Sequence, residues 1–520
     1  MSTNAPLAPT LLARSNKAQP LSLRFGWTAR AFWPSIAIAA LAIVAQSLRE
    51  TAADVSWLIT LCEKTVAGET PYVDFIESNP PAAFLIYMPG TLAARSVGAS
   101  PEFMVALFGF LAIAASLALC SLILRQAGLA SRIGPTGLAI AIAVLALSPG
   151  DSFDQREHLA LILGLPLLAT LAARAAGGNV DVWLCVTAGL GGALMASIKP
   201  HFALTFLAAL PYVARRAGVK TLLTSVELIA LALFAALGLV ATIVFFPAYF
   251  DSVVPIAAAI YAPVRLPIIG LLLTPGFLCW TALGLVLLLF GRAKLGSPLV
   301  AIPALASIGQ IIVFLVQGKG WSNHAYPALA LMGLAVGALV AQTEARIRRA
   351  LANALVIAPA AMLFAYALIS RPPREADSRL ESLVAGLARH PGILTIGSHI
   401  QLGFPLTRNV AGEWVGRPMA LWMTGAVEHL TEKNRPDDAT RFRYDAYLRL
   451  DREMLIAAIV DRKPDAILVE NDAWKAWAFS HPDVAAALAD YAPVGAVGEV
   501  TVYGRRLGLR PLQEAAPRRS

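Results

Sequence analysis

Long apolar runs fill the first 370 residues of the chain, and the charges between them gather in a few loops. Ile36–Leu48, Leu222–Phe246, Leu266–Phe290, Val300–Val316 and Leu351–Ile369 are apolar enough, and most are long enough, to cross a bilayer. This pattern excludes a soluble globular protein and predicts an all-α polytopic membrane protein of about 11 to 13 transmembrane helices. A hydrophobic fraction of 57% and a net charge of +9 fit that reading. The basic excess is a topology signal, not a sign of nucleic-acid binding.

The basic residues orient the chain. Residues 1–30 hold Arg14, Lys17, Arg24 and Arg30 and read as a cytoplasmic tail ahead of an uncleaved first helix. Arg174, the group Arg215, Arg216 and Lys220, the pair Arg292 and Lys294, and the cluster Arg346, Arg348 and Arg349 mark further inside loops. Arg49–Pro81, Ser148–His158, Lys199–His201, Phe250–Pro263, Gln317–His324 and everything after Ser370 then lie outside. Between Pro81 and Asp151 three apolar segments appear: Ala82–Ala94, Met104–Leu122 and Gly134–Leu147. An even number of crossings is required there, so one segment is short, re-entrant or interfacial.

Residues 31–370 form the expected membrane domain, and residues 371–520 have a different character. They carry many charges and no run of bilayer length. Gly392–Gly397, Asp465–Glu470 and Val497–Gly504 read as short strands, with helical patterns at Arg443–Ile459 and Val484–Tyr491. Alternation of this kind predicts a small α/β domain on the outer face. It lacks a glycine-rich phosphate loop, so a cap or an acceptor-binding lid is expected. Cys62, Cys120, Cys185 and Cys279 have neither metal-ligand nor disulfide spacing.

The outer loops hold the groups that carry chemistry. The first contains Glu50, Asp54, Asp74 and Glu77 and is stiffened by Pro71, Pro80 and Pro81. If the turn after the first helix is helical, Glu50 and Asp54 share a face. A carboxylate beside apolar surface at the membrane edge has a raised pKa, which suits Asp54 to act as a general base. The second loop reads Asp154-Gln155-Arg156-Glu157-His158 and runs straight into an apolar helix, where charges are costly unless they pair or bind something. A solvated helix cap would need one acid and not this run. Lys199-Pro200-His201 interrupts an apolar stretch, and Lys319 stands between two glycines ahead of Trp321 and His324. Lys319, Arg156 and Lys199 are the expected seat of a lipid phosphate. Glu50, Asp74, Glu77, His158, His201, Trp321 and His324 are candidates for sugar or acceptor contacts.

The helix followed by Arg49-Glu50 and Asp54, then Gly68-Glu-Thr-Pro-Tyr-Val-Asp74-Phe-Ile-Glu77-Ser-Asn-Pro-Pro81, resembles the multi-span glycosyltransferases of the GT-C class. That superfamily includes aminoarabinose transferases and protein O-mannosyltransferases, and the resemblance covers most of residues 30–370. It implies a polyprenyl-phosphate sugar donor, a glycan or lipid acceptor, a periplasmic active site and the bacterial inner membrane. It also implies an aspartate base in the first outer loop, where Asp54 stands. Asp154 and Glu157 match a second acidic cluster of that class, and Lys319 a basic contact to the lipid phosphate. A divalent metal between Asp54 and Asp154 is not required by the spacing, and none is expected, nor is any other cofactor. A monomer without a nucleic-acid partner is expected. The alternatives are a transporter or flippase for lipid-linked substrates, and a ligase or polymerase of envelope polysaccharide. A transporter should show internally repeated hydropathy and polar groups at the midplane, and neither is visible.

Overall fold

The computed structural model describes residues 29–343, 374–433 and 435–506. The basic tail positions Arg14, Lys17 and Arg24, the cluster Arg346, Arg348 and Arg349, and the run Leu351–Ile369 lie outside the described residues. Among the described residues, eight helices are long and apolar enough to cross a membrane. They are α1 (Arg30–Ser47), α3 (Pro101–Gln126), α4 (Ala130–Leu147), α5 (Arg156–Ala175), α7 (Val226–Phe245), α8 (Pro275–Lys294), α9 (Pro298–Gln317) and α10 (Ser322–Ala341). A shorter apolar helix, α6 (Val182–Ile198), packs with them. The helix α2 (Ala53–Val66) follows α1 and is mixed in character. The chain is thus a polytopic membrane domain followed by an α/β domain.

The stretch between Pro81 and Asp151 resolves simply. Ala82–Leu85 and Met88–Val97 are two short helices, and only α3 and α4 are long enough to cross. Pro89 sits at the start of the second short helix and Gly98 closes it with a left-handed cap.

Burial separates the helices by role. Most of α5, α9 and α10 is buried, while α1, α7 and α8 expose their apolar side chains. Exposed leucines and isoleucines such as Ile229, Leu233 and Leu237 on α7 suit a lipid-facing surface, where apolar side chains need no protein partner. Small residues set the interior spacing. An added Cβ at Gly189 would stand 2.5 Å from the Glu227 carbonyl oxygen, and one at Gly309 would stand 2.2 Å from that of Leu204. These glycines let α6 meet α7, and α9 meet the segment at Leu204, at backbone distance. Arg174 and Glu227 close one end of the α5–α6–α7 group, with Nε to Oε1 at 2.9 Å and Nη2 to Oε2 at 3.1 Å.

The last five residues of α4, Ala143–Leu147, widen into a π-type turn. Carbonyls freed by this turn accept from side chains: Val144 from the Tyr326 hydroxyl at 2.9 Å, Leu145 from His158 at 2.8 Å and Ala146 from Gln46 at 3.0 Å. A helix distortion of this type is stable only when side chains take up the released carbonyls. Here it ties α1, α5 and α10 together just below the second outer loop.

The α/β domain holds a five-stranded sheet. Its strands are β1 (Gly392–Ile396), β2 (Glu413–Trp414), β3 (Ala466–Val469), β4 (Tyr491–Val497) and β5 (Val500–Arg505), in the order β2-β1-β3-β5-β4. β1 pairs parallel with β2 and β3, and the β4–β5 hairpin adds antiparallel to β3. β3 is buried along its whole length and β1 over its last four residues, which explains their continuous apolar runs. Helices α11 (Trp422–Lys433) and α12 (Asp438–Arg462) belong to the same domain. The sequence misses β2, α11 and β4. The expected helix Val484–Tyr491 is in fact a short helix, Pro482–Ala487, and Tyr491 already begins β4.

Replacing Gly189 by Leu should lower the melting temperature of the detergent-solubilised protein by several degrees, because the two helix backbones must separate. Gly284→Ala, where the nearest atom to an added Cβ is 3.9 Å away, should leave it unchanged. Equal melting temperatures for both variants would contradict the close-packing account.

Candidate active site

The site grows from the break after α1. The residues Arg49 to Ala52 are not helical, so α1 and α2 are separate helices. Glu50 and Asp54 therefore do not share a helix face, contrary to the expectation from their spacing. Glu50 is exposed, whereas Asp54 lies in the first turn of α2, where unpaired backbone N–H groups favour a carboxylate. Arg49 instead pairs with Asp151 of the second loop.

Arg156 joins the two acidic loops. Its Nη2 lies 3.4 Å from Asp54 Oδ1 and its Nη1 3.2 Å from Glu77 Oε1. Glu77 is buried and fully engaged: the Trp57 indole donates to Oε2 at 2.8 Å, and the Asn79 backbone N–H donates to Oε1 at 3.0 Å. Asp54 is more open, with a quarter of its side chain exposed. Burial pushes the Asp54 carboxyl above its ordinary value, against the opposing pull of Arg156. A carboxylate that is held from behind and open in front can accept a proton.

A second ion pair lies beside the first. Lys199 Nζ donates to Glu157 Oε1 at 2.6 Å and to the Gln317 amide oxygen at 3.4 Å. Asn323 donates to Glu157 Oε2 at 3.3 Å, and His324 Nε2 stands 3.7 Å from Oε1. Trp321 is half-exposed and stacks against His324 with ring centres 5.0 Å apart. His201 is half-buried, with its Nε2 without a hydrogen-bond partner. Three outer segments thus meet on Glu157.

Other candidates have structural partners. His158 accepts the Asp154 N–H at Nδ1 (3.0 Å), so its Nε2 carries the proton donated to Leu145. Both ring nitrogens are thus committed, and the side chain pins the loop. Asp74 accepts the Thr70 N–H at 2.7 Å and is an exposed turn brace. Asp154 has a positive φ of 58°, and the Tyr87 hydroxyl donates to its carbonyl at 2.7 Å. Its carboxyl is buried against Gly109, where an added Cβ would stand 1.9 Å from Oδ1. Burial alone raises its pKa well above the ordinary carboxylate value, and its Oδ1 has no hydrogen-bond partner. Among the described residues, neither Asp154 nor Asp74 pairs with the Arg156 guanidinium.

Lys319 differs from the other two cations. Its ammonium donates to the carbonyls of Tyr261 (2.6 Å) and Val264 (2.5 Å) and lies 4.0 Å from the centre of the Tyr261 ring. Among the described residues no carboxylate pairs with it. Burial, with the nearby Arg265, pulls its pKa down to about 8. Gly318 and Gly320 both take positive φ, but the room they leave is used by Arg265 and Leu266 and not by a ligand. The sequence reading missed Arg265 as a functional candidate, although it stands in an outer loop between prolines 263 and 267. With Lys433 of α11 it lines a groove of about 400 Å³, whose other walls are Pro263, Leu266, Ile268, Leu271 and Leu315. Two cations at the rim of an aliphatic groove suit an amphiphile with an anionic head. Among the described residues, no three His, Cys, Asp or Glu side chains converge to hold a metal ion.

Two crystal structures of ArnT from Cupriavidus metallidurans share this fold. The one bound to undecaprenyl phosphate aligns with a TM-score of 0.58 and 12% identity, over 90% of this chain and 97% of that one. The apo structure aligns with a TM-score of 0.56 and 14% identity, over 92% and 98%. At this identity the likeness shows a common fold. No protein-family model and no curated protein matches the chain.

The Lys199–Glu157 pair yields a prediction. Lys199→Met leaves a wholly buried carboxylate without its closest cation and should destabilise the protein by roughly 3–5 kcal/mol. Adding Glu157→Gln should restore most of that loss, as read by chemical unfolding or by the yield of folded protein. A double variant no better than Lys199→Met would contradict the pairing.

Proposed function

We propose that this protein is a membrane glycosyltransferase that moves a sugar from a polyprenyl-phosphate donor to a hydroxyl of a glycan or lipid acceptor on the periplasmic face. The observation that carries the reading is the contrast between two kinds of charged group. Asp54 is partly exposed and held by Arg156. Lys319 and Arg265 have no carboxylate partners among the described residues, and Arg265 lines an apolar groove. The Tyr261 ring lies against the Lys319 ammonium, 4.0 Å from its centre. The common fold with a protein crystallised with undecaprenyl phosphate supports a lipid phosphate as the anion.

The reaction that fits is a single displacement with inversion. The acceptor oxygen attacks the anomeric carbon while its proton passes to an Asp54 oxygen. The bond from that carbon to the phosphate oxygen breaks, and its electron pair leaves with the lipid phosphate. Lys319 meets the charge that develops there, with Arg265 close by. Arg156 and Lys199 are committed to carboxylates in the structure, so in this reading they orient the acids and do not hold the phosphate. A phosphate needs no protonation to leave, so one carboxylate base suffices.

Transfer from a synthetic polyprenyl-phosphate sugar tests the base. Asp54→Asn should reduce kcat by about 10²- to 10⁴-fold. Full activity in that variant would overturn the assignment.

Lys319 gives a second test. Lys319→Ala should cost about 3 kcal/mol in the transition state, about a hundredfold in turnover. Turnover within about twofold of wild type would leave Arg265 as the phosphate ligand. The pH profile adds a sign. Asp54 must be ionised and its pKa is raised, so kcat/KM should fall on the acid side with a midpoint above the usual aspartate value. Lys319 must be protonated, so kcat/KM should also fall above about pH 8, and Lys319→Arg should remove that basic limb.

A further inference from the structure

The α/β domain grips the acidic half of the site at two points. Arg408 reaches into the membrane domain with its side chain almost fully buried. Its guanidinium forks onto Glu63 of α2, with Nη1 to Oε2 at 2.5 Å and Nη2 to Oε1 at 3.2 Å. It also donates to Thr60 of α2 at 3.2 Å and pairs with Glu102 at the start of α3. The second point lies one residue from Glu77. The Ile76 N–H donates to the Arg417 carbonyl at 2.9 Å, Ile76 bridges to Pro418, and the Arg417 guanidinium donates to the Val73 carbonyl. Between these points Phe404 packs edge-on against Trp57, with ring centres 5.5 Å apart, and Trp57 donates to Glu77.

We propose that the α/β domain is a positioning element of the transfer site: Arg408 fixes the helix that begins at Asp54, the Arg417–Pro418 segment fixes the backbone beside Glu77, and Arg156 can then hold both carboxylates in one geometry. The inference rests on Asp54 acting as base. It goes further in making two residues about 350 positions downstream set that base's orientation. The physical case is that α2 begins without a side-chain cap and the residues between α2 and the next short helix contain only isolated bridges. Both segments pack into the core through Trp57, Leu58, Tyr72 and Phe75, and the Arg408 fork and the Ile76–Arg417 bond add direction to that packing. A bidentate, charge-assisted fork between distant segments supplies direction as well as attraction. Displacement of a catalytic group by about 1 Å from a remote change costs up to about a hundredfold in rate.

Arg408→Met and Arg417→Met test this in the full-length protein. Arg408→Met should lower kcat about tenfold or more while the KM for the polyprenyl-phosphate sugar stays within about twofold, because the groove and Lys319 are untouched. Arg408→Lys keeps the charge without the fork and should recover only part of the rate. In an Asp54→Asn background Arg408→Met should reduce the residual rate little further, since both changes act on one group. The same fold-loss in both backgrounds would overturn the proposal, as would an unchanged kcat. Hydrogen exchange gives a readout independent of activity. The Ile76 amide and its neighbours should exchange faster in the Arg408→Met, Arg417→Met double variant at equal melting temperature. Unchanged exchange there would overturn the latch even if activity fell. Full activity of Asp54→Asn alone would overturn the base assignment and leave the exchange result standing. If the Met variants do not fold, Glu63→Gln weakens the same fork from the other side and is read by the same criteria.

Discussion

The Arg156 guanidinium is the contact on which the outer end of the molecule depends. It is buried, and a buried cation is tolerable only when an opposite charge meets it. Asp54 meets it from α2 and Glu77 from the following loop, so burial of one charge dictates where two other segments must lie. The cost of parting them keeps the first outer loop folded against α5. The same constraint leaves Asp54 with one side held and the other open, which is the geometry a base requires.

A membrane setting explains why such pairs gather at the helix ends. The bundle interior has no water to solvate a charge, so each ionic group is paired or lies at an end. Glu157 begins a transmembrane helix and is wholly buried, and Lys199, Asn323 and His324 converge on it from two other segments. At the other end Arg174 and Glu227 pair in the same way. Lys319 departs from this rule, for it is held by carbonyl oxygens and an aromatic face. A cation supported by neutral groups keeps its charge available to an anion that comes and goes. That contrast, more than the number of basic residues, sets Lys319 apart as the proposed phosphate contact.

The sequence reading found the polytopic membrane domain, the α/β tail and the loops that meet, because apolar run length and charge placement are local properties. Asp54, Arg156, Glu157, Lys199 and Lys319 could be singled out for a similar reason: charged groups at the start of apolar helices need partners. Which partners they take is a long-range matter. Arg156 and Lys199 look like phosphate ligands until their carboxylates are seen at 3.4 and 2.6 Å. Arg265 and Lys433 are ordinary loop and helix-end cations in sequence, and only the folded structure brings them to one groove. Glu63 appears as one more acid in an acidic stretch, yet it belongs to Arg408 of another domain. His158 looks like a ligand-facing residue, and its two ring nitrogens instead close a loop onto a distorted helix.

The central claim is that a lipid phosphate sits at the aliphatic groove lined by Arg265, next to Lys319. Photocrosslinking with a diazirine-bearing polyprenyl phosphate, followed by peptide mapping, measures this directly. The account predicts saturable labelling of the segments 261–272 and 311–321, competed by unlabelled polyprenyl phosphate and lost when Lys319 and Arg265 are both replaced by Ala. Saturable labelling confined to the exposed faces of α1 or α7, or labelling indifferent to both substitutions, would contradict it.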